Sequence, residues 1–172
     1  MAACQIPRRS GVIAQHSVRP AAPFDMPAIT FPDFSASPRF SIANFGADAT
    51  DQRSTSAAIA AAIVAAHSNG SGIVVIPPGI WPTGPVHLKS NVNLHLEKGA
   101  TLLFSAHPQD YLPPVATTWE GLECMNYSPL VYAFECENVA VSDQGTLQAK
   151  LDVLARLVCS SQEPHGRPGH PV

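Results

Sequence analysis

Apolar and polar positions along this chain change period from one segment to the next. Ile59 and Ile63 lie one helical turn apart with Ala62 and Ala66 beside them, which predicts a helix through the alanine-rich run after Ser54. Ser54 and Thr55 are its N-cap candidates, and Asn69-Gly70 supplies the stop. Asp48 and Asp51 precede it, where negative charge favours the positive end of a helix. Ile73 to Ile76 is an unbroken apolar run between Gly72 and Pro77, the pattern of a strand buried on both faces, and Pro78-Gly79 ends it. Val86, His87 and Leu88 make a short alternating piece. The segment from Val92 to Leu96 alternates strictly, which predicts Val92, Leu94 and Leu96 inward and Asn93 and His95 outward. Further strands are predicted from Phe40 to Ile42, Thr101 to Phe104, Leu130 to Phe134 and Asn138 to Val141.

The joins between these strands lack hairpin chemistry. KSN separates Leu88 from Val92 and EKGA separates Leu96 from Thr101, neither being an Asn-Gly or Asp-Gly pair at two-residue spacing. A helix ahead of the first buried strand suits a plug over an open solenoid end, because terminal repeats need a cap. The pattern therefore favours a solenoid over a sandwich. Ser105 to Tyr127, with Pro108, Pro113, Pro114, Trp119 and little periodicity, is read as an insertion projecting from one corner, a kind of segment that often carries function. Residues 1–39 contain Pro7, Pro20, Pro23, Pro27, Pro32 and Pro38 and are expected to form an extended arm, with Phe24, Phe31 and Phe34 available to lie along a packed surface. Seventeen prolines and eleven glycines suit a fold of many short strands and corners.

Composition narrows the partners. A chain of 172 residues, 45% of them hydrophobic, can bury one ordinary core. Charged residues are 13% and the formal net charge is -3, so no basic stripe neutralises a run of phosphates and nucleic acid is excluded as the expected partner. No window approaches the ~18 apolar residues that a membrane helix needs, and no membrane partner is expected. Arg8 and Arg9 are followed by no uninterrupted apolar run, so no signal peptide is read and no compartment is assigned. Cys4, Cys124, Cys136 and Cys159 include no C-x-x-C pair and suggest no zinc site. Cys124 and Cys136 read as small apolar residues, a local bridge being the alternative for an exported chain. His87 and His95 have no third ligand at suitable spacing and read as surface histidines, and Glu135 and Glu137 as a solvated strand end. No cofactor or metal is expected.

Between Phe40 and Leu147 the elements FSIANFGA, AAIAAAIVAA, IVVIPPGIWPTGPVHLKSNVNLHLEKGATLLFS and HPQDYLPPVATTWEGLECMNYSPLVYAFECENVAVS follow one another. In this order, and above all in WEG followed by NYSPL and ENVAV, the chain resembles the polygalacturonase family of glycoside hydrolases, family 28, and its bacterial branch in particular. The resemblance implies an all-β fold over 40–149, the N-terminal portion of a right-handed parallel β-helix of the pectin-lyase-like superfamily with an N-terminal capping α-helix. It also implies hydrolysis of α-1,4 bonds between galacturonate residues of pectin with inversion. That reaction needs one carboxylic acid to protonate the leaving oxygen and carboxylates to activate water on the other face. In the family these groups come from an Asn-Thr-Asp element, an Asp-Asp pair and a Gly-His-Gly element, with an Arg-Ile-Lys element binding substrate carboxylate, all on later coils. None is matched here: no Asp-Asp pair occurs, and His165-Gly166 and Gly169-His170 lie in a proline-rich tail. No catalytic residue is assigned.

The resemblance makes Trp119, Glu120 and Tyr127 candidates for lining a sugar cleft, with core packing the alternative for Trp119 and Tyr127. Glu120 and Glu123 flank Gly121 and are expected to shape a substrate-facing loop or to face water. The likeness stops near Gly145. The family continues through Gly-Thr-Leu-Asp-Gly, whereas here Gln148, Ala149 and Lys150 follow Leu147, and Asp143 stands where a glycine is usual. Residues 150–172 are expected to be a divergent, disordered tail, of the kind a frameshift or truncated reading frame would produce. The expectation from sequence is thus the start of a polygalacturonase-like β-helix directed at pectic oligosaccharide or polysaccharide and inactive alone, the alternative being a non-catalytic β-helix remnant that binds acidic oligosaccharide or a partner chain.

Overall fold

The computed structural model describes residues 13–150, apart from the Trp119 side chain. Cys4, Cys159 and all of the expected tail except Lys150 lie outside the described residues. In chain order, β1 (Ala14–Val18) and β2 (Ile29–Asp33) precede β3 (Arg39–Ser41), which runs into a 3-10 turn at Ile42–Phe45 and then α1 (Gln52–Ser68). β4 (Gly72–Ile76), β5 (Gly79–Thr83), β6 (Val86–His87), β7 (Val92–Leu96) and β8 (Ala100–Phe104) follow at close intervals. After a second 3-10 turn, Pro108–Tyr111, come β9 (Val115–Trp119), β10 (Leu122–Asn126), β11 (Val131–Tyr132), β12 (Ala140–Asp143) and β13 (Thr146–Ala149).

The strands wind into parallel ladders in the orders β12-β7-β4-β3, β13-β8-β5 and β11-β6. β4, β5 and β6 make one turn of a parallel β-helix, β7, β8 and β11 the next, and β12 with β13 opens another. Equivalent side chains stack in columns: Phe40 on Val74, Leu94 and Val141 in one sheet, Trp81 on Leu102 and Leu147 in the next. Val74, Ile76, Val92, Leu94, Leu102 and Phe104 are buried and fill the interior between the sheets. At one corner, Asn91 and Asn138 both take left-handed backbone, φ 66° and 53°, and the Asn138 carboxamide donates to Asn91 Oδ1 at 2.9 Å. Asparagine tolerates that conformation better than most residues, and the stacked amides satisfy each other where strand hydrogen bonds lapse.

The helix α1 presents Ile59, Ala62, Ile63 and Ala66 to the same core, as the expected plug. It comes close because β4 begins at Gly72: a Cβ there would lie 2.6 Å from Ala66 Cβ and 2.7 Å from Phe40 Cε2. The cap differs from the Ser54 or Thr55 expected. Asp51 is the N-cap, its carboxylate accepting from the Arg53 and Ser54 amides at 3.1 and 3.0 Å, while the Thr55 hydroxyl donates to the Asp48 carbonyl at 2.6 Å. A carboxylate that reaches two orphan N–H groups satisfies the helix start one turn earlier than the hydroxyls could.

Two other sequence expectations are modified. Within the arm, β1 and β2 pair antiparallel, and Ile13 and Phe34 pack on Ile73, Val75 and Ala140. The outer face of the sheet is thereby covered, so Asn93, expected outward and wet, is only 7% exposed, its Oδ1 accepting from the Ser142 hydroxyl at 3.0 Å. Phe24 and Phe31, by contrast, stay exposed. The segment expected to lack regular structure contains β9 and β10, a hairpin with register Leu122↔Trp119 and Asn126↔Val115. Its two-residue turn, Glu120-Gly121, has φ of 50° and 84°, the doubly left-handed geometry that matches strand twist.

Candidate functional site

The inserted segment is tied to the coils at several points, and a concave surface lies on either side of it. At its start, the buried Tyr111 donates its hydroxyl to the Ser105 carbonyl at 2.6 Å, and the Ser105 hydroxyl donates to Asp110. Asp110 also accepts from the Gln52 amide at 2.8 Å, which couples the insertion to the first turn of α1. These two donors, Ser105 first, hold the Asp110 carboxyl below its ordinary pKa, and burial together with the Asp110 charge raises that of Tyr111. Ser128 N–H donates to the Tyr111 carbonyl at 3.1 Å, closing the loop.

On one side of this closure is a cavity of about 520 Å3, lined by Tyr111, Tyr127, Pro129, Leu130, Ala149 and Lys150 among others. Its walls are chiefly apolar and aromatic, and Lys150 brings a cation to them. On the other side, a groove of about 840 Å3 runs between the β9–β10 hairpin and β11, with Thr117, Thr118, Glu123, Tyr132, Phe134 and Glu135 on its walls. The hairpin is pinned there by the Tyr132 hydroxyl, which donates to the Ala116 carbonyl at 2.7 Å.

The aromatic wall of the groove follows from the ladder. β11 pairs with β6 as Val131↔Val86 and Tyr132↔His87, so side-chain alternation directs the valines to the core and His87 and Tyr132 outward. The His87 and Tyr132 rings lie 5.2 Å apart at 58°, and Tyr132 and Phe134 are parallel within 3° at 6.1 Å. Such tilted and parallel arrangements are the favourable geometries for aromatic pairs. His87 Nε2 meets Ser128 Oγ at 2.9 Å while the Ser128 hydroxyl donates to the Pro129 carbonyl at 3.1 Å, which makes His87 the donor through Nε2–H. Burial lowers the His87 pKa, so the ring is neutral at pH 7.

The candidates named from sequence are distributed rather than gathered. Tyr127 lines the 520 Å3 cavity and is 54% exposed. Glu120 is exposed at the hairpin turn, and the Trp119 backbone pairs with Leu122, its side chain lying outside what the structure describes. Glu123 is on the groove wall, across the hairpin from Thr118. Cys124 and Cys136 are both free thiols. Tyr132 and Phe134 were not singled out from sequence; the signal available was the aromatic at every second position of YAF, which places both on one face of an extended segment. Among the described residues there is no group of three or more His, Cys, Asp or Glu able to hold a metal ion, and no helix long and apolar enough to cross a membrane.

Solved structures share this architecture. The hyperthermoactive exopolygalacturonase from Thermotoga maritima matches with 41% identity and a TM-score of 0.61 over 70% of this chain and 26% of that one. The family 28 exopolygalacturonase of Yersinia enterocolitica matches at 25% identity and a TM-score of 0.59, covering 70% of this chain and 22% of that one. A protein from Parabacteroides merdae described as a putative glycosyl hydrolase, at 23% identity and a TM-score of 0.54, covers 76% of this chain and 53% of that one and shares the fold. The chain spans about a quarter of the length of the two exopolygalacturonases it matches. No family model and no curated protein sequence matches it. The class defined here is the parallel β-helix with a capping helix, in the form found in polygalacturonases.

Proposed function

We propose that this chain is a polygalacturonase-like member of glycoside hydrolase family 28 and that its described turns contact a pectic polysaccharide. The observation that carries the reading is the 41% identity to the Thermotoga maritima exopolygalacturonase over 70% of this chain. Tyr127 and Lys150, on the wall of the 520 Å3 cavity, offer an aromatic face and a cation, a pairing suited to a uronate ring and its carboxylate. In this reading Glu120 and Trp119, at the hairpin turn, are further contacts to the glycan.

The chemistry proposed for these residues is binding and orientation. Inverting hydrolysis requires a proton donor and a water-activating carboxylate on opposite faces of the scissile bond, and the resemblance assigns those groups to elements with no counterpart in this sequence. Titration calorimetry of the full chain with oligogalacturonate and with partly methyl-esterified pectin fragments tests the reading, alongside a reducing-end assay. Binding of at least one fragment without release of reducing ends is the expected result. Failure of every pectic fragment to bind at millimolar concentration overturns the functional reading, and release of reducing ends overturns its restriction to binding.

A further inference from the structure

We propose that the groove between the β9–β10 hairpin and β11 is a subsite for an uncharged pyranose, stacked on Phe134, and discriminates against free uronate. The inference rests on the pectin-directed reading above and adds which units of the polymer this surface accepts. Phe134 is 51% exposed on the wall of the groove. Tyr132 lies parallel to it and is itself held by the Ala116 carbonyl and by the His87 ring. A braced aromatic face at the wall of a groove offers apolar contact to the C–H face of a sugar ring, with little side-chain entropy left to lose on binding.

The polar groups of the groove choose among sugars. Glu123 and Glu135 supply carboxylates and Thr117 and Thr118 supply hydroxyls, and no Lys or Arg is among the lining residues. Carboxylates accept hydrogen bonds from sugar hydroxyls, and such charge-assisted bonds are the stronger kind. A uronate in the same place would set a third negative charge beside them, with the neighbouring His87 neutral at pH 7. Glu135 also holds left-handed backbone, φ 50°, where a glutamate is seldom found, so its placement on the wall costs conformational energy. The chemistry that fits is a hydroxylated, uncharged ring. Two sources in pectic material supply it: a neutral sugar, or a galacturonate whose carboxylate is methyl-esterified.

The experiment measures binding of the full chain to three ligands at pH 7: a neutral galacto-oligosaccharide, a fully methyl-esterified oligogalacturonate and the unesterified oligomer. The expected result is saturable binding of one or both uncharged ligands, and which of them binds distinguishes the sources. Phe134→Ala should weaken that binding at least about tenfold, and Phe134→Trp should retain it. The double change Glu123→Gln with Glu135→Gln should narrow the preference for uncharged over unesterified ligand. Because Phe134 is half exposed, the variants are expected to melt like the parent, and a coincident melt shows that lost binding is local. Uncharged ligands that fail to bind, or that bind equally well to Phe134→Ala, overturn the subsite. If unesterified oligogalacturonate still binds in that case, the functional reading survives alone; if nothing pectic binds, both fall.

Discussion

In the coil stack, Leu94 and Leu102 are wholly buried, and β7 and β8 each lie between two parallel neighbours; in the β9–β10 hairpin, Leu122 and Met125 are 73% and 66% exposed, and each strand pairs only with the other. The stack is held by burial shared among turns, so a change in one column strains those above and below. The hairpin is held by a favourable turn and by single polar ties such as Tyr132 to Ala116. The difference separates a rigid scaffold from a surface that can vary without cost to it, which is where binding functions tend to sit. The sharpest way to break this contrast is to truncate one large side chain in each region. Phe104→Ala should cost about 3–5 kcal/mol in a denaturant melt, and Leu122→Ala should stay within about 0.5 kcal/mol of the parent. Equal losses would mean that the two regions fold as one tightly coupled unit.

The junction of helix and stack gives the next effect in size. Gly72→Ala places a methyl against Ala66 Cβ and Cα and the Phe40 ring, and the Ala66 atoms cannot yield without moving α1. A loss of about 1–3 kcal/mol is expected. A silent substitution would show that α1 rests on the stack more loosely than the 2.6 Å approach requires.

The tie between the regions can be cut alone. Tyr132→Phe removes the hydroxyl that reaches Ala116 and should cost about 1 kcal/mol. Hydrogen exchange should quicken in β9 and β10 while the β7 and β8 amides keep their protection, and uniform quickening would contradict a locally held hairpin. At the other anchor, Ser105 and Gln52 keep the Asp110 carboxyl charged to lower pH than usual. A carboxyl with a depressed folded-state pKa stabilises above its unfolded value, and that contribution disappears as pH falls through the depressed value. Asp110→Asn should therefore flatten the acid side of a plot of Tm against pH, and an unchanged acid limb would remove Asp110 from the account.

How far the sequence discloses these features follows the same division. The stack was legible because its physics is periodic: the helical stripe of α1, the unbroken run of β4 and the alternation of β7 are each visible within a few residues. β5 escaped because Pro78-Gly79 read only as the end of the run before it, yet a strand starts at Gly79 and, as the edge of its sheet, tolerates Pro82. The hairpin escaped because Glu-Gly is a weaker turn signal than Asn-Gly, though both residues accept the left-handed backbone here. The burial of Asn93 depends on Ile13 and Phe34, far away in sequence, and no local pattern reports such a cover. Tyr127, a candidate from family resemblance, lies on a cavity wall, whereas the pairing of Tyr132 with Phe134 needed the register of β11 on β6.

The smallest effect tests the end of the stack, where Asp143 stands in left-handed backbone at φ 84°. Its Oδ2 lies 3.1 Å from His95 Nε2, and His95 Nδ1 lies 3.0 Å from Ser142 Oγ, so one imidazole links β7 to β12 across the outer face. Two effects oppose each other. An L-residue at this φ costs about 1 kcal/mol relative to glycine, and a partly exposed polar contact returns about 0–1 kcal/mol. Asp143→Gly relieves the first and forfeits the second, so the melt should move by less than about 1 kcal/mol in either direction. Asp143→Ala keeps the strain and loses the contact, and should be the less stable of the two variants by about 1 kcal/mol. The Ala and Gly variants together isolate the backbone contribution, and the parent against Ala isolates the His95 contact. If Asp143→Ala melts with the parent, the His95 contact contributes nothing, and the turns are held in register by their buried columns alone.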